Sequence, residues 1–144
     1  MTTICSMHDA VKGGVWIASD TKRSFGDLGL NLATKWAVHE NWAIGMSGRV
    51  RLANIMHKHW PQIIRDTQDI HDISLKLRQL VQYDGFKPQD EKSPWWNMGT
   101  IITDSSNIWT VGSDFSYSHI PQGQFVADGS GWQIAQGATL ALGK

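Results

Sequence analysis

The chain begins Met1-Thr2-Thr3-Ile4. Loss of Met1 would leave Thr2 with both a hydroxyl and a free α-amine, a nucleophile and its own base in one residue. The amine takes the hydroxyl proton as the oxygen attacks a carbonyl. Such a terminus needs supporting groups, and three more steps in the chain have suitable types: Ser19-Asp20-Thr21, Lys35 and Ser47-Gly48. Each also has an ordinary reading. Asp20 suits the turn after a strand, and Gly48 a strand-to-helix turn. Lys35 could be a solvated strand lysine, but Ala33, Trp36, Ala37 and Val38 around it leave little solvent face. Lysine is seldom fully buried without a partner.

The elements that would position these residues follow from hydrophobic period. Thr2 to Met7 is short and β-prone. Lys12-Gly13-Gly14 marks a turn, and Val15 to Ala18 is apolar at every position, predicting a strand covered on both faces. The two strands form a hairpin. Ser24 to Asn31 reads as irregular, and Ala33–Val38 and Trp42–Met46 as two more strands. After Gly48 the period changes. Leu52, Ile55, Met56, Trp60, Ile63 and Ile64 share one helical face. Pro61 is expected to kink or split that helix near His57.

Asp69 or Asp72 caps a second helix with Ile73, Leu77, Leu80 and Val81 inward. Asp84 to Pro94 is a polar loop. Strands resume at Met98–Thr103 and Ile108–Val111, joined by Asp104-Ser105-Ser106-Asn107, with weaker strand signals at Phe115–Ser118 and Gln124–Ala127. A helix follows Gly131. Strands, two helices, strands and a helix predict an α+β fold with antiparallel sheets and helices segregated to their faces.

Bulk properties narrow the function. With 144 residues the chain has room for one domain, 1–144. Thirteen basic and thirteen acidic residues cancel, so nothing draws the protein to nucleic acid or an anionic membrane. The apolar runs are strand-length and no secretory signal opens the chain, so a cytoplasmic protein is expected. Cys5 is the single cysteine, excluding an internal disulfide, and is expected in the core. His57 and His59 diverge on a helix, so no metal is expected there. Eight tryptophans suggest large buried surfaces, including surfaces between subunits.

Five stretches carry a resemblance: TTI at Thr2, WIASDTKRSFG from Trp16 to Gly26, Lys35, WAIGMSG from Trp42 to Gly48, and ADGSGWQIAQGA from Ala127 to Ala138. In order and spacing they resemble the proteasome β-type and HslV-like threonine peptidases, a branch of the N-terminal nucleophile hydrolases, and within it the small bacterial proteasome homologues. The resemblance spreads over the whole chain. It implies a four-layer αββα sandwich, with Thr2 as nucleophile once Met1 is removed. It further implies that Asp20 orients Lys35 and accepts hydrogen bonds from the terminus. Lys35 would lower the pKa of the terminal amine, the Gly48 N–H would bind the oxyanion, and Ser130 would hydrogen-bond near the amine. Ser130 also suits a helix N-cap. Met46 and Val50 would line the pocket for the residue before the cut.

The resemblance implies a peptide or unfolded-protein substrate, stacked homo-oligomeric rings, and no cofactor. It leaves open whether an ATP-driven unfoldase feeds the chamber. Thr2 to Asp20 is longer than the family spacing, which the Lys12-Gly13-Gly14 turn would absorb, and Asp20 to Lys35 is slightly shorter. The family pattern continues with a further helix and strands, so a sandwich shortened at its C-terminal end is expected here. Two alternatives stay open: a non-catalytic ring or scaffold subunit that keeps Met1, and a small-molecule amidase of the same superfamily.

Overall fold

Alternation along the first strand sets the layering. In β1 (Ile4–His8) Ile4, Ser6 and His8 are buried while Cys5 and Met7 are half-exposed. A computed structural model describes residues 3–9, 11–20, 22–25, 28–31, 35–48, 50–83, 98–112 and 114–142, with the backbone alone at 22–25, 28–31, 50–52 and 98. β1 is the middle of a three-stranded antiparallel sheet between β2 (Val15–Ser19) and β10 (Phe125–Asp128). Its inner face carries Ile4, packed with Trp36, Ala43, Ile101 and Ile108 of a second sheet.

That second sheet is antiparallel and five-stranded, in the order β5 (Trp36–His39), β6 (Trp42–Gly48), β7 (Met98–Thr103), β8 (Ile108–Val111), β9 (Tyr117–Ile120). Period-two alternation divides its residues between two cores. Ala43 and Ile101 face the first sheet, and Ile44, Met46, Ile102 and Val111 face the helices. Those helices are α1 (Val50–Asp66) and α2 (Ile70–Tyr83), which bury Met56, Trp60, Ile63, Ile73, Leu77 and Val81. The Trp60 indole N–H donates to the Trp42 carbonyl at 3.3 Å, pinning α1 to the start of β6. The third helix, α3 (Trp132–Ala141), packs on β10 and β1. The α+β fold therefore has four layers: two helices, two antiparallel sheets and a helix. None of its helices is long and apolar enough to cross a membrane, among the described residues.

Several expectations need correction. β2 is not covered on both faces: Trp16 is 59% exposed and Ala18 is exposed, because α3 lies over β10 and β1. The segment expected to be irregular forms a separate hairpin, β3 (Lys22–Phe25) with β4 (Leu28–Asn31), paired from Lys22↔Asn31 to Phe25↔Leu28. Its Lys-Arg-Ser-Phe strand lacks the alternation that would have announced it. Pro61 does not split α1, which runs on to Asp66. Trp60, Ile63 and Ile64, all buried, hold the helix on both sides of the missing N–H. Asp69 is the cap of α2, accepting the Asp72 N–H at 2.9 Å. The polar loop expected from Asp84 to Pro94 lies outside the described residues.

Candidate active site

The hairpin register delivers Asp20 to the amino-terminal end of the chain. β1 and β2 pair from His8↔Val15 to Ile4↔Ser19. The next step continues the pattern through the main chain, with the Asp20 N–H donating to the Thr3 carbonyl at 3.1 Å. In return the Thr3 N–H donates to the Asp20 carboxylate, Oδ1, at 2.9 Å. Thr3 is thus held by Asp20 from both its amide groups. Thr2 lies outside the described residues, one peptide bond away.

Lys35 stands just ahead of β5 rather than inside it, and its carbonyl accepts the Met46 N–H at 3.1 Å. Its Nζ lies 2.7 Å from the same Asp20 Oδ1. The Lys35 side chain is 6% exposed and that of Asp20 35%. A buried ammonium needs such a partner, so the solvated-lysine reading does not hold. The contact also crosses layers: Asp20 follows a strand of the three-stranded sheet and Lys35 leads into the five-stranded one. Close packing supports it from below. Trp36 lies across Gly45, where an added Cβ would meet its ring at 2.8 Å.

Gly48 ends β6 with φ +122°, a conformation that favours glycine, and is exposed. It pairs with Met98 at the end of β7. Before it, the Ser47 hydroxyl donates to the Gly99 carbonyl at 3.3 Å. Met46 is 2% exposed and belongs to the core beneath α1 and α2, so it lies under this strand end. Val50 opens α1, and its side chain lies outside the described residues.

Ser130 is exposed in the turn between β10 and α3. It is not the cap of α3: Gly131 holds that position, with no side-chain hydrogen bond. The neighbouring Gly131 is pressed by Thr3, whose Oγ1 would collide with any Cβ there. The amino end of α3 therefore rests on Thr3, just ahead of β1. Two residues absent from the sequence-based set also belong here. They are Thr3, held by Asp20 and Gly131, and Asp128, whose carboxylate abuts Gly99 beside the Ser47 hydroxyl. Only the pairing of β10 with β1 reveals Asp128, since in sequence it reads as an ordinary turn residue.

One end of the sandwich thus brings together Asp20, Lys35, Gly48, Ser130 and Asp128 around the start of β1. The arrangement has a cation, two carboxylates and a glycine at a strand-to-helix step. Cys5 does not join it. It lies on the outer face of β1, and burial pushes its thiol up from the ordinary range, which favours the protonated, unreactive form.

No family model matches the chain, and no curated protein matches it. Solved structures do. BPH from Thiobacillus denitrificans superposes with a TM-score of 0.75 at 18% identity, covering 98% of this chain and 78% of that one. The same protein in complex with epoxomicin gives 0.71 at 20% identity over 98% and 78%. Eukaryotic HslV from Trypanosoma brucei gives 0.69 at 19% identity over 97% and 78%. The chain has the HslV-type fold.

Proposed function

We propose that this chain, 1–144, is a threonine-type endopeptidase subunit acting through Thr2 after Met1 is removed. The observation that carries this reading is the Asp20 carboxylate, which joins the Lys35 ammonium at 2.7 Å to the Thr3 N–H at 2.9 Å, one residue from Thr2. The Lys35 cation favours a neutral terminal amine. That amine takes the Thr2 hydroxyl proton as Oγ attacks the substrate carbonyl. The Gly48 N–H stabilises the oxyanion. The proton then passes to the departing amine of the substrate, leaving an ester on Thr2, and water hydrolyses the ester to restore the hydroxyl. In this reading Val50, two residues after Gly48, lines the pocket for the residue before the cut, the buried Met46 backs that wall from the core, and Ser130 hydrogen-bonds near the terminal amine.

The HslV likeness and the complex of a neighbour with epoxomicin support a peptidase of this fold. Assembly into stacked homo-oligomeric rings around a peptide or unfolded-protein substrate is part of the proposal. Exposed apolar side chains on α3, Ile134 at 73% and Leu140 at 70%, fit a surface that other chains cover.

The test is the intact mass of the purified protein before and after epoxomicin or a peptide vinyl sulfone. Loss of Met1 and a mass gain mapped to Thr2 are expected, with no gain in Thr2→Ala. Normal assembly with Met1 retained and no adduct would instead establish the non-catalytic scaffold subunit.

A further inference from the structure

Asp128 ends β10 opposite Ile4 of β1, in the register Ile4↔Asp128. On the other side of β1 the partner of Ile4 is Ser19, followed by Asp20. The start of β1 is therefore flanked by two carboxylates, one from each neighbouring strand. They differ in their company. Asp20 is paired with Lys35. One Asp128 oxygen, Oδ1, accepts the Gly129 N–H at 2.6 Å, and the carboxylate packs on Gly99 next to the Ser47 hydroxyl. These neighbours are neutral. Gly99 is the residue type that leaves room, since a Cβ there would collide with both Asp128 and Ser47.

The charges at this end can be counted among the described residues. Lys35 contributes a full positive charge. The amino end of α3, resting on Thr3, contributes a partial one. Asp20 contributes one negative charge. Without Asp128 the balance is positive, and a terminal ammonium would be strongly disfavoured. With Asp128 the balance turns negative by about half a charge, so the terminal ammonium is favoured relative to a site without that carboxylate. Ser47, Gly99 and Thr100 on β6 and β7 carry no charge, and the first turn of α3 has no acidic residue.

We propose that Asp128 is a positioning residue that offsets Lys35 and the α3 amino end, and so sets the pH at which the Thr2 amine gives up its proton. The inference rests on the threonine-peptidase reading and adds a second carboxylate to it. Its role is electrostatic: the Gly129 bond could be accepted equally by a neutral amide, but the charge could not be replaced.

The experiment is the rate of epoxomicin labelling of the chain lacking Met1, as a function of pH, for the wild type and Asp128→Asn. Asparagine keeps the shape and an acceptor for Gly129. The labelling rate rises as the amine loses its proton, so removing a negative charge moves the acid limb to lower pH, by about half a unit or more. Asp128→Ser, which also offers an acceptor without charge, should shift the limb the same way. Labelling with an unchanged acid limb in both variants overturns this inference and leaves the peptidase reading standing. A wild type that is never labelled overturns both. Failure of both neutral variants to fold assigns Asp128 to the scaffold and overturns the inference alone.

Discussion

Lys35 and Asp20 meet at 2.7 Å across the boundary between the two sheets, with the lysine almost fully buried. The same Asp20 oxygen holds the Thr3 N–H. One carboxylate thus fixes the start of β1 relative to the start of β5, the neighbour of the strand that ends at Gly48. Cutting either partner away leaves a charge in a partly dry place. Asp20→Asn should lower stability by about 1–3 kcal/mol, since the carboxylate is a third exposed and water relieves part of the loss. Lys35→Met should be milder, since the carboxylate left behind still reaches solvent. Urea unfolding of both single variants and the double variant gives the coupling. Additive effects would show that the contact has no energetic weight.

Gly131 has no room for a side chain. A methyl there meets Thr3 Oγ1 directly. Gly131→Ala should displace the start of β1 or the start of α3, costing about 1–3 kcal/mol and slowing labelling of Thr2 by at least tenfold. A variant with wild-type melting temperature and labelling rate would show that the contact yields without consequence.

Pro61 sits in the twelfth position of a 17-residue helix. A proline there removes one helical hydrogen bond and crowds the preceding turn. Pro61→Ala should raise stability by about 1–3 kcal/mol without altering the site, which is built at the other end of α1. Thermal unfolding decides it, and a lowered melting temperature would mean that the proline ring contributes more to packing than its missing N–H subtracts.

Asp9 accepts the Val11 and Lys12 N–H groups and the Trp16 indole N–H, at 2.9, 2.9 and 2.8 Å. These bonds, that of Lys12 foremost, hold its carboxyl below the ordinary carboxylate value. A depressed acid stabilises the fold above its unfolded pKa, and this contribution fades as the pH falls through the folded one. The indole N–H resonance of Trp16 should therefore keep its position on acidification past the ordinary carboxylate range and move only below it. Movement at the ordinary value would refute the bonding.

The elements that were legible in the sequence are those whose ends carry strong turn chemistry. Strands Met98–Thr103 and Ile108–Val111 were readable because Asp104-Ser105-Ser106-Asn107 closes a turn, with the Asp104 carboxylate binding the Ser106 and Asn107 N–H groups at 2.9 and 2.7 Å. Lys35 was readable because its neighbours left no room for a solvated side chain. The β3–β4 hairpin was not readable, since Lys22-Arg23-Ser24-Phe25 has no two-fold pattern and the alternation of Leu28 and Leu30 in β4 spans only four residues. Asp128 was not readable either. Its place depends on β10 pairing with β1 across more than a hundred residues of chain, and no local signal encodes such a pairing.

The hairpin of β1 and β2 behaves as a ruler with its zero at the site. Pairing is counted from Thr3 and Asp20 outward, so the distance between them is set by the first rungs and not by the residues that lie between. The turn at Asp9 to Gly14 closes the far end, with Gly13 and Gly14 at φ +73° and +87°. Residues added or lost there in register-preserving pairs lengthen or shorten the ladder away from Thr3. The count from Thr2 to Asp20 is consequently free to drift, and two chains with different counts can hold the same carboxylate at the same place.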